Sequence, residues 1–358
     1  MSRKLVRRAV EALAPYVPGE QPSAEETARL VKLNTNENPY PAPPEVLRAL
    51  EDEAGRLRLY PEPTAAPLRE RAGAVYGVDA DCVIVGNGSD ELLALALRAF
   101  CEAGDRGRDG GSVAAPAPTY SLYPTLAAIH GAEYVAVPFP EPYAIPEALF
   151  GADADVVFLS NPNSPTGTVV PTAEVARLAD SLGGVLVVDE AYADFADGNA
   201  LALAREKENV LVLRSFSKSF SLAGLRLGLG FGPRRLIDAM TKVKDSYNVS
   251  RLACAAGCAA LDRIELVRAN VERVKATRER VAGRLRAMGL FVHPSGANFL
   301  FVRVPEARAM LGRLRARGFL VRHFDAPRLA DALRVTIGTD AQMDGFLAAL
   351  AAELEGSS

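Results

Sequence analysis

Val210-Leu-Val-Leu-Arg-Ser-Phe-Ser-Lys218-Ser-Phe-Ser-Leu-Ala-Gly-Leu-Arg226 is an apolar run that gives way abruptly to hydroxyls, a lysine and an arginine. Its first four residues, rich in valine and leucine and closed by polar neighbours, read as a short buried strand. Ser215, Ser217 and Ser219 follow, with Lys218 among them, and Arg226 lies further along. A lysine that forms a Schiff base must be neutral part of the time, which requires a partly desolvated or cation-flanked position. Hydroxyls beside a guanidinium suit a dianionic phosphate. Taken alone, a lysine reads as a solvated surface charge, so the rest of the chain decides its role.

The same form recurs on both sides of this stretch. Cys82-Val-Ile-Val85, Val113-Ala-Ala115, Tyr134-Val-Ala-Val137, Val156-Val-Phe-Leu159, Val185-Leu-Val-Val188 and Leu227-Gly-Leu-Gly230 are short apolar runs separated by helical stretches. Such alternation predicts an α/β domain with a mainly parallel central sheet flanked by helices. Ligands in such folds gather beyond the carboxyl ends of the strands. The pattern changes near residue 260. Ile264, Val267, Val271, Val274, Val281, Leu285 and Met288 follow helical spacing, with Arg278 filling the one missing place. That stripe predicts a long core-packed helix leading into a second domain. Beyond it, Asn298–Arg303, a helix over Ala307–Arg317, Leu320–Arg322 and Leu333–Ile337 predict a smaller α+β C-terminal domain. The expected organisation is an arm over 1–45, a large domain over 46–260 and a small domain over 261–358. Asn34–Pro44, dense in asparagine and proline, is expected to be extended. Asp105–Gly111 reads as a surface turn, and no internal repeat is evident.

The 358 residues are 49% hydrophobic and 24% charged, an ordinary globular composition. Lys+Arg 41 against Asp+Glu 44 leaves a net charge of −3, with no basic block to attract nucleic acid. Neither a signal peptide nor a membrane span is visible, so cytosol is the expected location. Cys254 and Cys258 are one helical turn apart, but Ala and Gly surround them, which favours packing over metal binding.

Three further segments carry chemistry. Asp189, in Val185-Leu-Val-Val-Asp189-Glu-Ala-Tyr192, ends a buried strand; it reads as a helix cap or as the partner of a pyridinium N–H. Tyr192 is close enough to offer its hydroxyl to a ring substituent. Val85-Gly-Asn-Gly-Ser-Asp-Glu91 passes from strand through a glycine turn into a helix, either a plain capped turn or a phosphate cradle. It is neither a P-loop nor a dinucleotide fingerprint. Ser160-Asn-Pro-Asn-Ser-Pro-Thr-Gly167 is a proline-stiffened loop that holds amide side chains above the sheet. Tyr120, in Pro118-Thr-Tyr120, offers an aromatic face to a planar ring.

In this order, at the ends of successive strands, these segments are similar to those of the fold-type-I pyridoxal-phosphate aminotransferases, and within them of the histidinol-phosphate aminotransferase family. The resemblance runs from Asn36-Glu-Asn-Pro39 through Tyr60-Pro-Glu62 to Leu333-Arg-Val-Thr-Ile-Gly-Thr339. It implies pyridoxal 5'-phosphate as cofactor, joined to Lys218, which also shuttles the substrate proton. Asp189 would pair with the pyridine nitrogen, Tyr192 with the phenolic oxygen, and Tyr120 would stack on the ring. Ser89, Asp90, Ser215, Ser217 and Arg226 would bind the phosphate. Tyr60 would reach the cofactor of a partner subunit, implying a homodimer in which the arm also packs with the small domain and the partner. The family often carries Asn immediately before Pro-Thr-Gly; here Ser164 stands there and Asn163 precedes it, so either Asn163 or Ser164 takes the phenolic contact.

Arg322 and Arg334 would hold the substrate carboxylate or phosphate, a task guanidinium geometry fits, with Tyr16 and Asn38 lining the same pocket. The implied reaction is a ping-pong transamination from glutamate to imidazole-acetol phosphate, giving L-histidinol phosphate and 2-oxoglutarate. Rival readings are an aromatic amino-acid aminotransferase or a threonine-phosphate-type decarboxylase on the same fold, and a non-catalytic effector-binding protein. Intact Lys218, Asp189 and Tyr192 argue against the last.

Overall fold

All seven apolar runs of the first part of the chain become strands of one sheet. The computed structural model describes residues 5–6, 8–13, 19–27, 29–101, 110–141 and 143–356. The sheet strands are β2 (Val83–Gly86), β3 (Ser112–Ala117), β4 (Glu133–Pro138), β5 (Val156–Ser160), β6 (Val185–Asp189), β7 (Val210–Ser215) and β8 (Gly228–Phe231), after β1 (Val31–Lys32) in the arm. Their order is β2-β8-β7-β6-β5-β3-β4. Only β8 runs against its neighbours; the β7–β6, β6–β5, β5–β3 and β3–β4 pairs are parallel.

Both faces of this sheet are covered, which is why the strands are apolar throughout rather than alternating. Val157 and Leu159 of β5 pack into one core cluster and Val156 and Phe158 into the other, as a two-residue repeat demands. The strand order reverses between β3 and β5. From there the chain leaves β3 outward towards β4 and leaves β5 inward towards β6, which opens a crevice at their carboxyl ends. Register sets Ser160 beside Asp189, so the polar ends of β5 and β6 share one edge of the sheet.

A second sheet forms from β9 (Phe299–Arg303), β11 (Arg322–His323) and β12 (Ala332–Thr336), all antiparallel, in the order β11-β12-β9. The stretch expected as one strand over Leu320–Arg322 is divided at Val321. Its first part, β10 (Phe319–Leu320), pairs in parallel with β1 of the arm, and its second part pairs with β12. The arm supplies a hydrogen-bonding edge that competes for this segment, and Leu33 and Tyr40 follow it into the small core. The helix Ile264–Ala287 joins the two regions: Val267 packs with the large-sheet core, and Val271, Val274, Val281 and Leu285 with the small one. Arg278, at the gap in the stripe, is buried and donates to the carbonyls of Phe195 (3.0 Å) and Ala297 (2.9 Å). Among the described residues no helix is long and apolar enough to cross a membrane.

Candidate active site

A cavity of about 540 Å³ lies over the carboxyl ends of β3, β5, β6 and β7, within the size range of small-molecule sites. Lys218 lines it, three residues past the end of β7. Its Nζ donates to the carbonyl of Thr35 at 3.1 Å and stands 5.7 Å from the centre of the Tyr192 ring. Asn38 donates to the carbonyls of Lys218 and Ser219, at 3.1 Å each. Expected as a pocket-lining residue, Asn38 instead ties the arm to the backbone that carries the lysine, and it does not line the cavity. Ser219 is held from below through Asp194, which pairs with Arg214 at 2.7 Å; Arg214 in turn pairs with buried Glu190 at 2.8 Å. The lysine segment is therefore gripped on both sides.

Asp189 ends β6 inside the cavity wall, buried. Burial pushes its carboxyl up to about 6, against the hydrogen bonds from the Tyr123 hydroxyl (2.9 Å) and the Ala191 N–H (3.2 Å). Tyr123, which sequence reasoning missed, is fully buried against Phe158 and meets Tyr120 edge to face. Nothing around it in the chain marks it as part of a site. Its own hydroxyl is driven well above its usual range by the same burial, so it stays a proton donor to Asp189.

The glycine turn places Ser89 and Asp90 at the start of the helix Ser89–Phe100, whose first N–H groups have no partner within the helix. Arg226 reaches this turn from just before the neighbouring strand β8, paired with Asp90 at 3.3 Å and donating to Ser217 Oγ at 3.3 Å. Gly88 (φ +81°) permits that approach, because a Cβ there would stand 2.8 Å from a guanidinium nitrogen. Arg226 itself holds a left-handed φ of +53°, a strained conformation for a residue other than glycine. Ser215 and Ser217 line the same end of the cavity, which completes an anion cup of helix N-terminus, hydroxyls and guanidinium. Tyr120 lines the wall beside it and donates to Asp90 at 3.2 Å.

Tyr192 also lines the cavity, and its hydroxyl accepts from Asn36 Nδ2 at 3.0 Å. Asn36, also missed, takes a left-handed φ of +58° that asparagine tolerates better than most residues. The richness of the 34–38 segment in asparagine was its one visible signal. In the proline loop, Asn163 and Ser164 are placed differently. Asn163 turns its amide to the Pro118 carbonyl (3.1 Å) and Thr166 Oγ1 (2.8 Å) and does not line the cavity, whereas Ser164 does. The Asn163 amide nitrogen thus ties this loop to the Pro118 segment, while its Oδ1 is buried without a hydrogen-bond partner. The Ala117–Pro118, Asn161–Pro162 and Ser164–Pro165 bonds are all cis.

Arg322 and Arg334 are cross-strand partners in β11 and β12, and both line the cavity. Arg334 donates to the Asn34 carbonyl at 2.9 Å and to Ser164 Oγ at 3.4 Å. Tyr60 lies away from this cavity, 77% exposed, stacked on Tyr247 with ring centres 4.5 Å apart. Tyr16 lies outside the described residues. The cavity thus combines a lysine amine, a buried carboxylate, a tyrosine hydroxyl, one anion cup and a separate pair of guanidiniums.

Residues 28–350 match the family described as aminotransferase class I and II. The chain is 45% identical over 340 residues to histidinol-phosphate aminotransferase 1 of Trichormus variabilis, covering 94% of this chain and 95% of that protein. It is also 45% identical over 351 residues to histidinol-phosphate aminotransferase of Chromohalobacter salexigens, covering 96% and 97% respectively. Histidinol-phosphate aminotransferase from Sinorhizobium meliloti, solved in complex with pyridoxal-5'-phosphate, superposes with a TM-score of 0.88 at 27% identity over 100% of this chain and 99% of that one. The chain belongs to the class I and II aminotransferases, in the branch that holds the histidinol-phosphate aminotransferases.

Proposed function

We propose that this protein moves the amino group of glutamate onto imidazole-acetol phosphate, producing L-histidinol phosphate and 2-oxoglutarate in histidine biosynthesis, with pyridoxal 5'-phosphate as cofactor. The observation that carries the reading is the convergence of Arg322 and Arg334 on the cavity that also holds Lys218 and a second anion site, the Arg226 cup. A phosphate-bearing cofactor and an anionic substrate need one such site each.

The residues present fit pyridoxal phosphate. The cup that Gly88 keeps open suits its phosphate, and Asp189, buried and pushed up to about 6, lacks the cation that a protonated ring nitrogen would bring. When bound, this cofactor supplies an aldehyde that exchanges amines and a ring that takes up electrons from the substrate carbon. Lys218 Nζ is the base that removes the proton from the donor's Cα and returns a proton during amination. Asp189 would hold the ring-nitrogen proton in place, and Tyr192, oriented by Asn36, would donate to the phenolic oxygen. Tyr120 would lie against the ring, while the backbone N–H groups of Ser89 and Asp90, with Ser215, Ser217 and Arg226, would anchor the phosphate. Arg334 takes the donor's carboxylate or the acceptor's phosphate, and Arg322 joins it on the phosphate.

The working assembly in this reading is a cytoplasmic homodimer, in which exposed Tyr60 reaches the cofactor phosphate of the partner. Steady-state assays with glutamate as donor test the substrate: imidazole-acetol phosphate is expected to be preferred over phenylpyruvate by at least about tenfold in kcat/KM, since one good charge-assisted pair is worth that much. Preference for phenylpyruvate, or amine formation without any keto acid, would refute it. Lys218→Ala should lose the visible absorbance of the cofactor-loaded protein together with turnover; full activity in that variant would sink the role given to the lysine.

A further inference from the structure

Two guanidiniums directly opposite one another on antiparallel strands repel, yet Arg322 and Arg334 occupy such positions. Phe324 is an aromatic neighbour of both. Its ring centre is 5.4 Å from Arg322 Cζ and 5.2 Å from Arg334 Cζ, and the half-buried ring lines the same cavity as Lys218. Arg334 has a second aromatic neighbour, Phe299, at 5.3 Å. The negative face of an aromatic ring attracts a guanidinium while leaving its N–H edge to bind oxygen anions. One ring shared by two cations therefore offsets part of their repulsion and keeps them within reach of a single dianion.

The segment that carries Phe324 is fixed in place. Arg328 crosses to the large-sheet side, donating to the Phe139 carbonyl at 2.7 Å, pairing with Glu141 at 2.9 Å and lying 5.3 Å from the centre of the Tyr143 ring. Ala326 and Leu329 of the same segment complete an apolar wall beside the ring. The pillar thus belongs to a wall anchored at both ends, not to a free loop.

We propose that Phe324 is a positioning residue that holds Arg322 and Arg334 together, and so sets the preference for a phosphate dianion over a lone carboxylate. This rests on the reading above that the two arginines receive the substrate's anion. A dianion draws on both guanidiniums, whereas a carboxylate held by Arg334 keeps the support of Phe299 when Phe324 is removed.

The test compares Phe324→Leu and Phe324→Tyr holoenzymes. In Phe324→Leu, KM for imidazole-acetol phosphate is expected to rise about tenfold, with KM for glutamate rising less than about threefold and kcat holding within about twofold. Phe324→Tyr, which keeps the ring, should restore the acceptor KM. Calorimetric titration of each holoenzyme with inorganic phosphate gives a readout independent of turnover, and Phe324→Leu should bind it about tenfold more weakly. Unchanged phosphate affinity in Phe324→Leu overturns the proposal. So does an equal rise in both KM values that Phe324→Tyr fails to correct. If imidazole-acetol phosphate is not a substrate at all, the functional reading falls, while the phosphate titration still decides the role of Phe324.

Discussion

Asp189 is where burial and charge oppose each other most directly. Its carboxyl is pushed up to about 6 by desolvation, although two hydrogen bonds favour the charged form. In an unfolded chain it would titrate near 4. The cofactor-free fold therefore gains from Asp189 fully below about pH 4 and loses that contribution as pH rises through about 6, because ionising it inside costs roughly 3 kcal/mol. Asp189→Asn is expected to stabilise the cofactor-free protein at pH 7 by roughly 1–3 kcal/mol and to do little at pH 4, as urea midpoints at the two values would show. The same change should weaken cofactor binding, since the ring nitrogen loses its counter-charge. Equal urea midpoints for variant and parent at pH 7 would mean that Asp189 is not burdened as described. Asp189, Tyr192 and Lys218 were legible in the sequence because each stands just after a buried apolar run, a local pattern. Tyr123 was not, since it meets Asp189 from 66 residues away, inside an otherwise ordinary helix.

At the scale of elements, the anion cup depends on how closely β8 passes the turn before the helix Ser89–Phe100. A Cβ on Gly228 would lie 2.7 Å from the Gly88 carbonyl carbon and 2.7 Å from the Ser89 nitrogen, both backbone atoms that cannot swing aside. Gly228→Ala should therefore shift the helix start and weaken cofactor binding by at least about tenfold in a fluorescence titration, with far-UV circular dichroism little changed. Parent-like affinity would show that the cup tolerates the displacement. The strand–turn–helix form of this element is visible in Val85–Glu91, whereas the approach of β8 is not. The division of the 319–323 segment between two sheets was equally hidden, because the competing edge comes from Val31–Lys32 in the arm.

At the scale of the molecule, the helix Ile264–Ala287 packs against both core regions, and Arg278 ties its middle to the Phe195 and Ala297 carbonyls. Arg278→Met would leave two buried carbonyls without their charged donor, a loss of about 2–4 kcal/mol. Urea unfolding should show it as a lower midpoint, and an unaltered midpoint would mean that other donors replace the guanidinium. The proposed homodimer predicts a sedimenting mass about twice 38.1 kDa at micromolar concentration. Tyr60→Ala should then weaken cofactor retention although Tyr60 lies outside its own chain's cavity. A monomer, or a Tyr60→Ala dimer that holds cofactor as the parent does, would contradict the shared site.

By itself the sequence determined the layered α/β architecture and most of the chemical groups at the strand ends. Strand periodicity, glycine turns and polar residues that follow apolar runs are short-range patterns, written within a few residues. Tertiary structure alone decided that Ser164 rather than Asn163 faces the cavity, that Thr35 and Asn38 of the arm grip the Lys218 segment, and that one phenylalanine neighbours both Arg322 and Arg334. These depend on contacts between residues up to 183 positions apart, or on the rotation of one side chain among competing hydrogen-bond partners. No local spacing encodes either.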